Sequence, residues 1–242
     1  MPPAPRIDRT PVAYDAALAA QRALVELRKE GRIPDLLWLL EHPPTITCGA
    51  SGGLEHILEP LEALEGRGVR VRKTDRGGDV TCHEPGQLVG YPIVSLDAPG
   101  ERDLRRYLRC LEEGLIRYLR GLGIEGRRVP GKTGVWIDGR PPRKIAAIGV
   151  GARRWIAFHG FALNVENSLR GFAAIVPCGI AGAEVTSVAR ELSGSAPPWD
   201  AVADGVHRAL EEALSRPLER IAGREGLERA GFGSSGGTPG DR

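Results

Sequence analysis

Between residues 133 and 165 three apolar stretches follow one another closely, TGVWID, KIAAIGVG and WIAFHGFALNV, and this succession constrains the fold more than any other feature. The first two flank Asp138-Gly139 and a proline pair, and the third partly alternates apolar with polar residues. Short strand-like runs separated by turn residues are the mark of antiparallel pairing. The spacing therefore predicts a meander of antiparallel strands. A further run, LLWLLE at 36–41, is too short and too uniformly apolar for a surface helix, so it is read as a buried strand ending before Pro43 and Pro44. The stretch after it is polar, rich in Gly and Ser, and reads as a loop.

Helical periodicity appears three times. Tyr14, Ala17, Leu18, Gln21, Leu24 and Val25 share one face, and Lys29 followed by Gly31 supplies a stop. From about Asp103 to Leu122, Leu104, Tyr107, Leu108, Leu111, Leu115, Tyr118, Leu119 and Leu122 form an apolar stripe with arginines mostly off it. A last helix spans roughly Trp199 to Ser215. Residues 1–11 hold four prolines and read as a flexible lead-in. Residues 12–222 read as one domain and 223–242 as a disordered tail, most evidently in GFGSSGGTPGDR from Gly231.

The net charge of +2 gives no global reason to bind a polyanion, so nucleic acid is not an expected partner. No run approaches the roughly 20 apolar residues of a membrane span, and the N-terminus lacks an apolar leader, so a soluble, cytoplasmic protein is expected. A monomer is expected too, because no long exposed apolar seam appears. Cys48, Cys82, Cys110 and Cys178 are widely spaced without a C-x-x-C pair, which favours free thiols over a disulfide framework or a metal site.

Three segments set reactive residue types among glycines and prolines. In DRGGDVTCHEPGQLVGYPI, residues 75–93, Gly77-Gly78 would let a ligand approach the backbone, with Arg76, Thr81 and His83 nearby; the plainer reading is a tight turn into a strand. In RPPRKIAAIGVG, Lys144 heads a small apolar strand; such a lysine is commonly a surface charge, but one placed in a pocket can serve as a base. In IVPCGIAGAEVTSVARE, residues 175–191, Cys178 sits between Pro177 and Gly179, on a loop where a thiol can act as a nucleophile. Most free cysteines, by contrast, are small core hydrophobes.

LLEHPPTITCG, RGGDVTCHEPGQLVGYPI, GKTGVWIDG, KIAAIGV, FHGFALNV and PCGIAGAEVTSV occur in series between about residues 35 and 192, and together they resemble the lipoyl(octanoyl) transferases. The resemblance implies an α+β fold of the biotin/lipoate protein ligase kind, a mixed, largely antiparallel sheet flanked by helices, with 12–222 as the catalytic domain. It implies that Cys178 carries an acyl thioester and that Lys144 is its acid/base partner. It assigns one wall of an acyl pocket to Arg76, Gly77, Gly78, Asp79, Val80, Thr81, Cys82 and His83. A second wall falls to Ala147, Ile148 and Gly149, and a third to Gly160, Phe161 and Ala162. Cys82 stands where an aromatic residue is expected, and Glu84 where a glycine is common before Pro-Gly-Gln.

By the same resemblance octanoyl-acyl carrier protein is the donor. Lipoyl domains of 2-oxoacid dehydrogenase acyltransferase subunits and the glycine cleavage H protein are the acceptors, and neither metal nor cofactor is implied. A donor thioester is already activated, so ATP is dispensable and ping-pong kinetics are expected, with Gly78, His83 or Gly149 as candidate oxyanion donors. The arginines of the second helix, with Arg127, Arg128, Arg153 and Arg154, are a candidate docking face for acidic partners. The alternatives are an ATP-dependent lipoate or biotin ligase and a non-catalytic acyl-binding module.

Overall fold

The computed structural model describes residues 8–177 and 184–232. In chain order the elements are α1 (Tyr14–Lys29), β1 (Leu36–Leu40), β2 (Thr45–Cys48), α2 (Leu61–Gly66), β3 (Arg70–Lys73), β4 (Val80–His83) and β5 (Gln87–Ser95). There follow α3 (Leu104–Gly121), β6 (Gly126–Val129), β7 (Lys132–Ile137), β8 (Arg143–Arg153), β9 (Ile156–Asn164), β10 (Glu184–Val185), α4 (Val188–Glu191), α5 (Trp199–Leu214), β11 (Glu219–Ala222) and α6 (Glu225–Arg229).

The larger sheet runs β11-β1-β5-β9-β8-β7-β6, with β10 on the free edge of β8 where β9 has ended. Strands β5 through β9 pair antiparallel as the spacing predicts, whereas β1–β11 and β8–β10 are parallel. Both faces are covered, and β1 shows why its sequence is uniformly apolar. Leu37 and Leu39 enter the core beneath α3 and α5, while Leu36, Trp38 and Leu40 enter the core beneath α1. Asp103 caps α3 by accepting from the backbone N–H of Arg105 and Arg106, satisfying two donors of the first turn. α3 then lies against α5 at very short range: a Cβ on Gly114 would meet Leu210 at 2.7 Å, and one on Gly205 would meet Tyr118 at 2.6 Å.

A second sheet, β3-β2-β4, leans on the first and builds its own core of Ile46, Cys48, Leu64, Val80, Cys82, Phe172 and Ile175. The sequence reading treats β2 as part of a polar loop and identifies neither β3 nor α2. Regular structure also continues past residue 222, where the sequence reading starts a disordered tail. α6 follows, and Leu227 and Phe232 pack in the core beneath α1. The supposed lead-in is held as well, since Arg9 bonds Glu41 at 2.6 Å and Glu166 at 2.8 Å and lies 4.1 Å over the Trp199 ring. No helix among the described residues is long and apolar enough to cross a membrane.

Candidate active site

Small residues in register create a hollow in the larger sheet. Ala147 pairs with Ala162 and Gly149 with Gly160 across β8 and β9, leaving room above the strands. The turn 75–79 and β4 close over this floor, and Tyr14 of α1 and Tyr91 of β5 complete the enclosure of about 300 Å³. That volume lies at the lower end of the range for small-ligand sites.

Most of the wall residues inferred from resemblance line this cavity: Arg76, Gly78, Asp79, Val80, Thr81, His83, Ala147, Ile148, Gly149, Gly160, Phe161 and Ala162, together with Lys144. Gly77 and Cys82 do not. Gly77 lets the chain's own backbone come close: its N–H donates to the Val150 carbonyl at 2.9 Å, and a Cβ on Gly149 would meet the Gly77 carbonyl at 2.5 Å. Gly78, at φ +86°, supplies the left-handed turn that aims β4. Cys82 points to the opposite side of β4 from Thr81 and His83. It lines a separate, smaller cavity of about 200 Å³ under α2, where burial pushes its thiol pKa up.

Arg76 is buried and grips the neighbouring sheet, donating to the Thr47 carbonyl at 2.7 Å and to the Thr47 hydroxyl at 2.9 Å. Lys144 is only 4% exposed, so it is not the surface charge its type suggests. Its Nζ lies 4.6 Å above the Trp136 ring, and Lys132 at the rim approaches the same ring at 5.4 Å.

His83 is locked by its partner. Gln87 donates through Nε2 to the Cys82 carbonyl and to Asn164 Oδ1, so Gln87 Oε1 must accept the Nδ1–H of His83, at 2.9 Å. Burial, then the neighbouring His42, holds the His83 pKa down at about 3, so Nε2 is a bare acceptor. Of the three candidate oxyanion donors, Gly78, His83 and Gly149, His83 thus has its one ring N–H engaged by Gln87. His42 is likewise held neutral, with burial lowering its pKa to about 4; its Nδ1–H donates to the Val12 carbonyl and its Nε2 accepts from the Tyr91 hydroxyl, both at 2.6 Å.

Tyr14, Ser51, Tyr91, Lys132, Thr133 and His159 also line the cavity, and sequence reasoning did not single them out. Lys132 and Thr133 lie within the quoted GKTGVWIDG motif, which was the available signal. His159 occupies a left-handed φ of 56° opposite Pro92, where the β5–β9 ladder is interrupted; its Nε2 lies 2.9 Å from Asp75, and burial lowers its pKa to about 4. Six of the nine arginines read as a docking face have carboxylate partners within the chain: Arg109 and Arg128 on Glu112, Arg117 on Glu113, Arg127 on Asp138, Arg153 and Arg154 on Glu26; among the described residues no ion pair is seen for Arg105, Arg106 or Arg120. No group of three or more His, Cys, Asp or Glu among the described residues is arranged to hold a metal ion.

Cys178 lies outside the described residues. The chain on either side of 178–183 is anchored at the cavity. On one side the Val176 N–H donates to the His56 carbonyl at 2.8 Å, and the His56 ring bonds the cavity residue Asp79. On the other, Val185 pairs with Lys144, and the Thr186 N–H donates to the Lys144 carbonyl at 2.9 Å.

The family model described as the lipoyl protein ligase A/B catalytic domain matches residues 13–211. An octanoyltransferase of Chloroflexus aggregans is 53% identical over 200 residues, 82% of this chain and 89% of that protein. One of Geobacter metallireducens is 49% identical over 187 residues, 77% and 83% of the respective chains. Among solved structures, a bipartite lipoate protein ligase from Thermoplasma acidophilum superposes with a TM-score of 0.69 at 19% identity, covering 93% of this chain and 88% of its own.

Proposed function

This chain belongs to the lipoyl protein ligase A/B catalytic family and is an octanoyltransferase of protein lipoylation; we propose that it works through a thioester on Cys178, with Lys144 moving the protons. The observation that carries this reading is the position of Lys144. It is a buried amine at the end of a cavity floored by small residues, on the strand that pairs directly with the chain leaving the Cys178 segment.

In the first half-reaction the Cys178 thiol passes its proton to the amine form of Lys144, and the thiolate attacks the acyl carbon of the donor thioester. The bond to the carrier sulfur breaks, and that sulfur takes the proton from Lys144. In the second, the ε-amine of an acceptor lysine attacks the acyl-Cys178 carbon, its surplus proton passes to the amine of Lys144, the C–S bond breaks as the amide forms, and the departing Cys178 thiolate takes that proton from Lys144. Lys144 lies within a few ångströms of an aromatic face rather than in open water, so the proton shuttle works in a site from which solvent is largely excluded. The acyl chain rests on Ala147, Gly149, Gly160 and Ala162, where the absence of side-chain bulk leaves the room it needs.

On this reading the donor is octanoyl-acyl carrier protein. The acceptors are lipoyl domains of 2-oxoacid dehydrogenase acyltransferase subunits and the glycine cleavage H protein, and the protein acts as a monomer in the cytoplasm. The test is steady-state transfer from octanoyl-carrier protein to an apo lipoyl domain, with both substrates varied and ATP omitted. Parallel reciprocal plots, and a loss of about hundredfold or more in kcat for Lys144→Ala, are expected. Intersecting plots, or transfer that needs ATP and free octanoate, would contradict the mechanism.

A further inference from the structure

We propose that Asn164 is the positioning residue of this site, a single buried amide that ties His83 and both approaches to the Cys178 segment into one hydrogen-bonded network. The proposal rests on the reading of Cys178 as the acyl carrier.

Asn164 is the last residue of β9 and is 3% exposed. Beyond it the edge of β8 passes from β9 to β10, and Asn164 sits at that junction. Its Nδ2 donates to the Thr186 carbonyl at 3.0 Å, while the Thr186 N–H donates to the Lys144 carbonyl. The peptide that follows the Cys178 segment is therefore held on one side by Lys144 and on the other by Asn164.

The Oδ1 of the same amide accepts twice, from Gln87 Nε2 at 2.9 Å and from Asn167 Nδ2 at 3.2 Å. Through Gln87 the network reaches His83 and sets its tautomer. Through Asn167 it reaches Glu84, whose buried carboxylate also accepts from the Leu169 N–H at 2.6 Å and from the Ser168 hydroxyl and the Gly171 N–H, both at 3.3 Å. These bonds fold a loop in which Leu169 has a left-handed φ of 65°, a conformation that a bulky residue adopts only when its surroundings require it. That loop runs through the turn Arg170–Ala174 and the Ile57–Ile175 bridge to Pro177. Glu84, the departure from the family's usual glycine, thus braces the approach to Cys178 from outside the acyl cavity.

The orientation of Asn164 is unambiguous. Turned over, it would set its oxygen against the Thr186 carbonyl and its NH₂ against two donors. Its side chain does not line the cavity, so any effect on the reaction passes through the groups it holds. Both polar atoms of the Asn164 amide are paired, although Asn167 Oδ1 finds no partner among the described residues. Such buried bonds hold their groups in place, and a shift of about 1 Å in a reacting group costs on the order of a hundredfold in rate.

Asn164→Asp is the discriminating variant. It keeps the acceptor for Gln87 and Asn167 but, when ionised, faces the Thr186 carbonyl with an oxygen; protonated, it regains the donor. Single-turnover acylation of Cys178 by octanoyl-carrier protein, read by intact mass, is expected to slow by about tenfold to a hundredfold at pH 8 with the KM for the donor within about threefold of wild type. Relative to wild type at the same pH, the rate is expected to recover as pH falls to about 6, because burial raises the pKa of a carboxyl at this position. Loss of the fold alone would give no such recovery. Should Asn164→Asp fail to fold by circular dichroism, Asn167→Ala carries the test, since it cuts only the branch to Glu84, and a slowing of at least about fivefold is expected. Acylation within twofold of wild type at every pH, in a variant that is folded, would overturn the proposal. A wild type that transfers octanoyl without ever carrying it on Cys178 would instead overturn the thioester reading, and the positioning role with it.

Discussion

Gly149 is the position where one methyl group does most to the cavity. A Cβ there would stand 2.5 Å from the Gly77 carbonyl, and backbone cannot rotate away as a flexible side chain can. Gly149→Ala is expected to destabilise the fold by about 1–3 kcal/mol and to cut octanoyl transfer by about tenfold or more, read by urea unfolding and by the transfer assay. Cys82→Ala is expected to spare transfer. Its sulfur contacts the core under α2, so the change costs roughly 1 kcal/mol while transfer stays near wild type, and native Cys82 resists iodoacetamide. Strong loss of transfer in Cys82→Ala would return that thiol to the acyl wall. Which side of β4 each residue takes was not legible in the sequence, because all four residues of the strand are buried and no polar alternation marks the face. Lys144 was legible as a candidate through the family resemblance more than through its setting in a small apolar strand, where such a lysine is commonly a surface charge, and its burial needed the structure.

At the scale of elements, α3 reaches the site through Glu112. This carboxylate is fully buried; its Oε2 accepts from Arg109 at 2.6 Å and Arg128 at 3.0 Å, and its Oε1 from the Gly134 N–H at 3.1 Å. Gly134 follows Gly131 of the turn before β7 and Lys132 and Thr133 at the start of that strand, which form part of the cavity wall, and it leaves space beside the Lys144 side chain, whose Cε would lie 3.6 Å from a Cβ there. Glu112→Ala is expected to cost about 1–3 kcal/mol, because it leaves the buried Gly134 N–H without its acceptor while the solvent-accessible Arg109 and Arg128 regain water, and to lower kcat as the 131–134 stretch loosens. Unchanged stability by urea unfolding would contradict this placement. The three long helices, α1, α3 and α5, were legible nearly to their ends, since an apolar stripe and the Asp103 cap of α3 are local signals, whereas the short α2, α4 and α6 were not. The second sheet was not: β2 and β3 are four residues each, flanked by glycines and charges, and they are strands only because β4 and the core under α2 pair and cover them.

Of the molecule's five histidines, three, His42, His83 and His159, have pKa values that burial depresses from 6.5 to between about 3 and about 4. In the unfolded chain they bind protons below about pH 6.5, whereas in the folded protein they remain neutral until far lower pH. Unfolding near pH 5 therefore takes up close to three protons onto these groups, so their contribution to stability is full only above about pH 6.5 and falls below it by up to about 4 kcal/mol per pH unit. Urea unfolding at pH 7 and pH 5 measures the slope. His159→Asn, which tolerates the left-handed backbone, is expected to remove about one proton from the uptake, and an unchanged slope would show that His159 is protonated in the fold.

His83 and His159 line the cavity and His42 packs behind it against the His83 and Tyr91 rings, so acid sensitivity and the neutral interior of the site share a cause. The antiparallel meander and the order of motifs made the fold class readable, but the enclosure of Lys144 depends on contacts between distant segments that no local pattern encodes. The decisive measurement is intact-protein mass spectrometry of the wild type and Cys178→Ser after mixing with octanoyl-carrier protein in the absence of ATP. The thioester mechanism predicts one added octanoyl group on the wild type alone, discharged by an apo lipoyl domain. A wild type that stays unmodified while transfer proceeds, or equal labelling of Cys178→Ser, would contradict it.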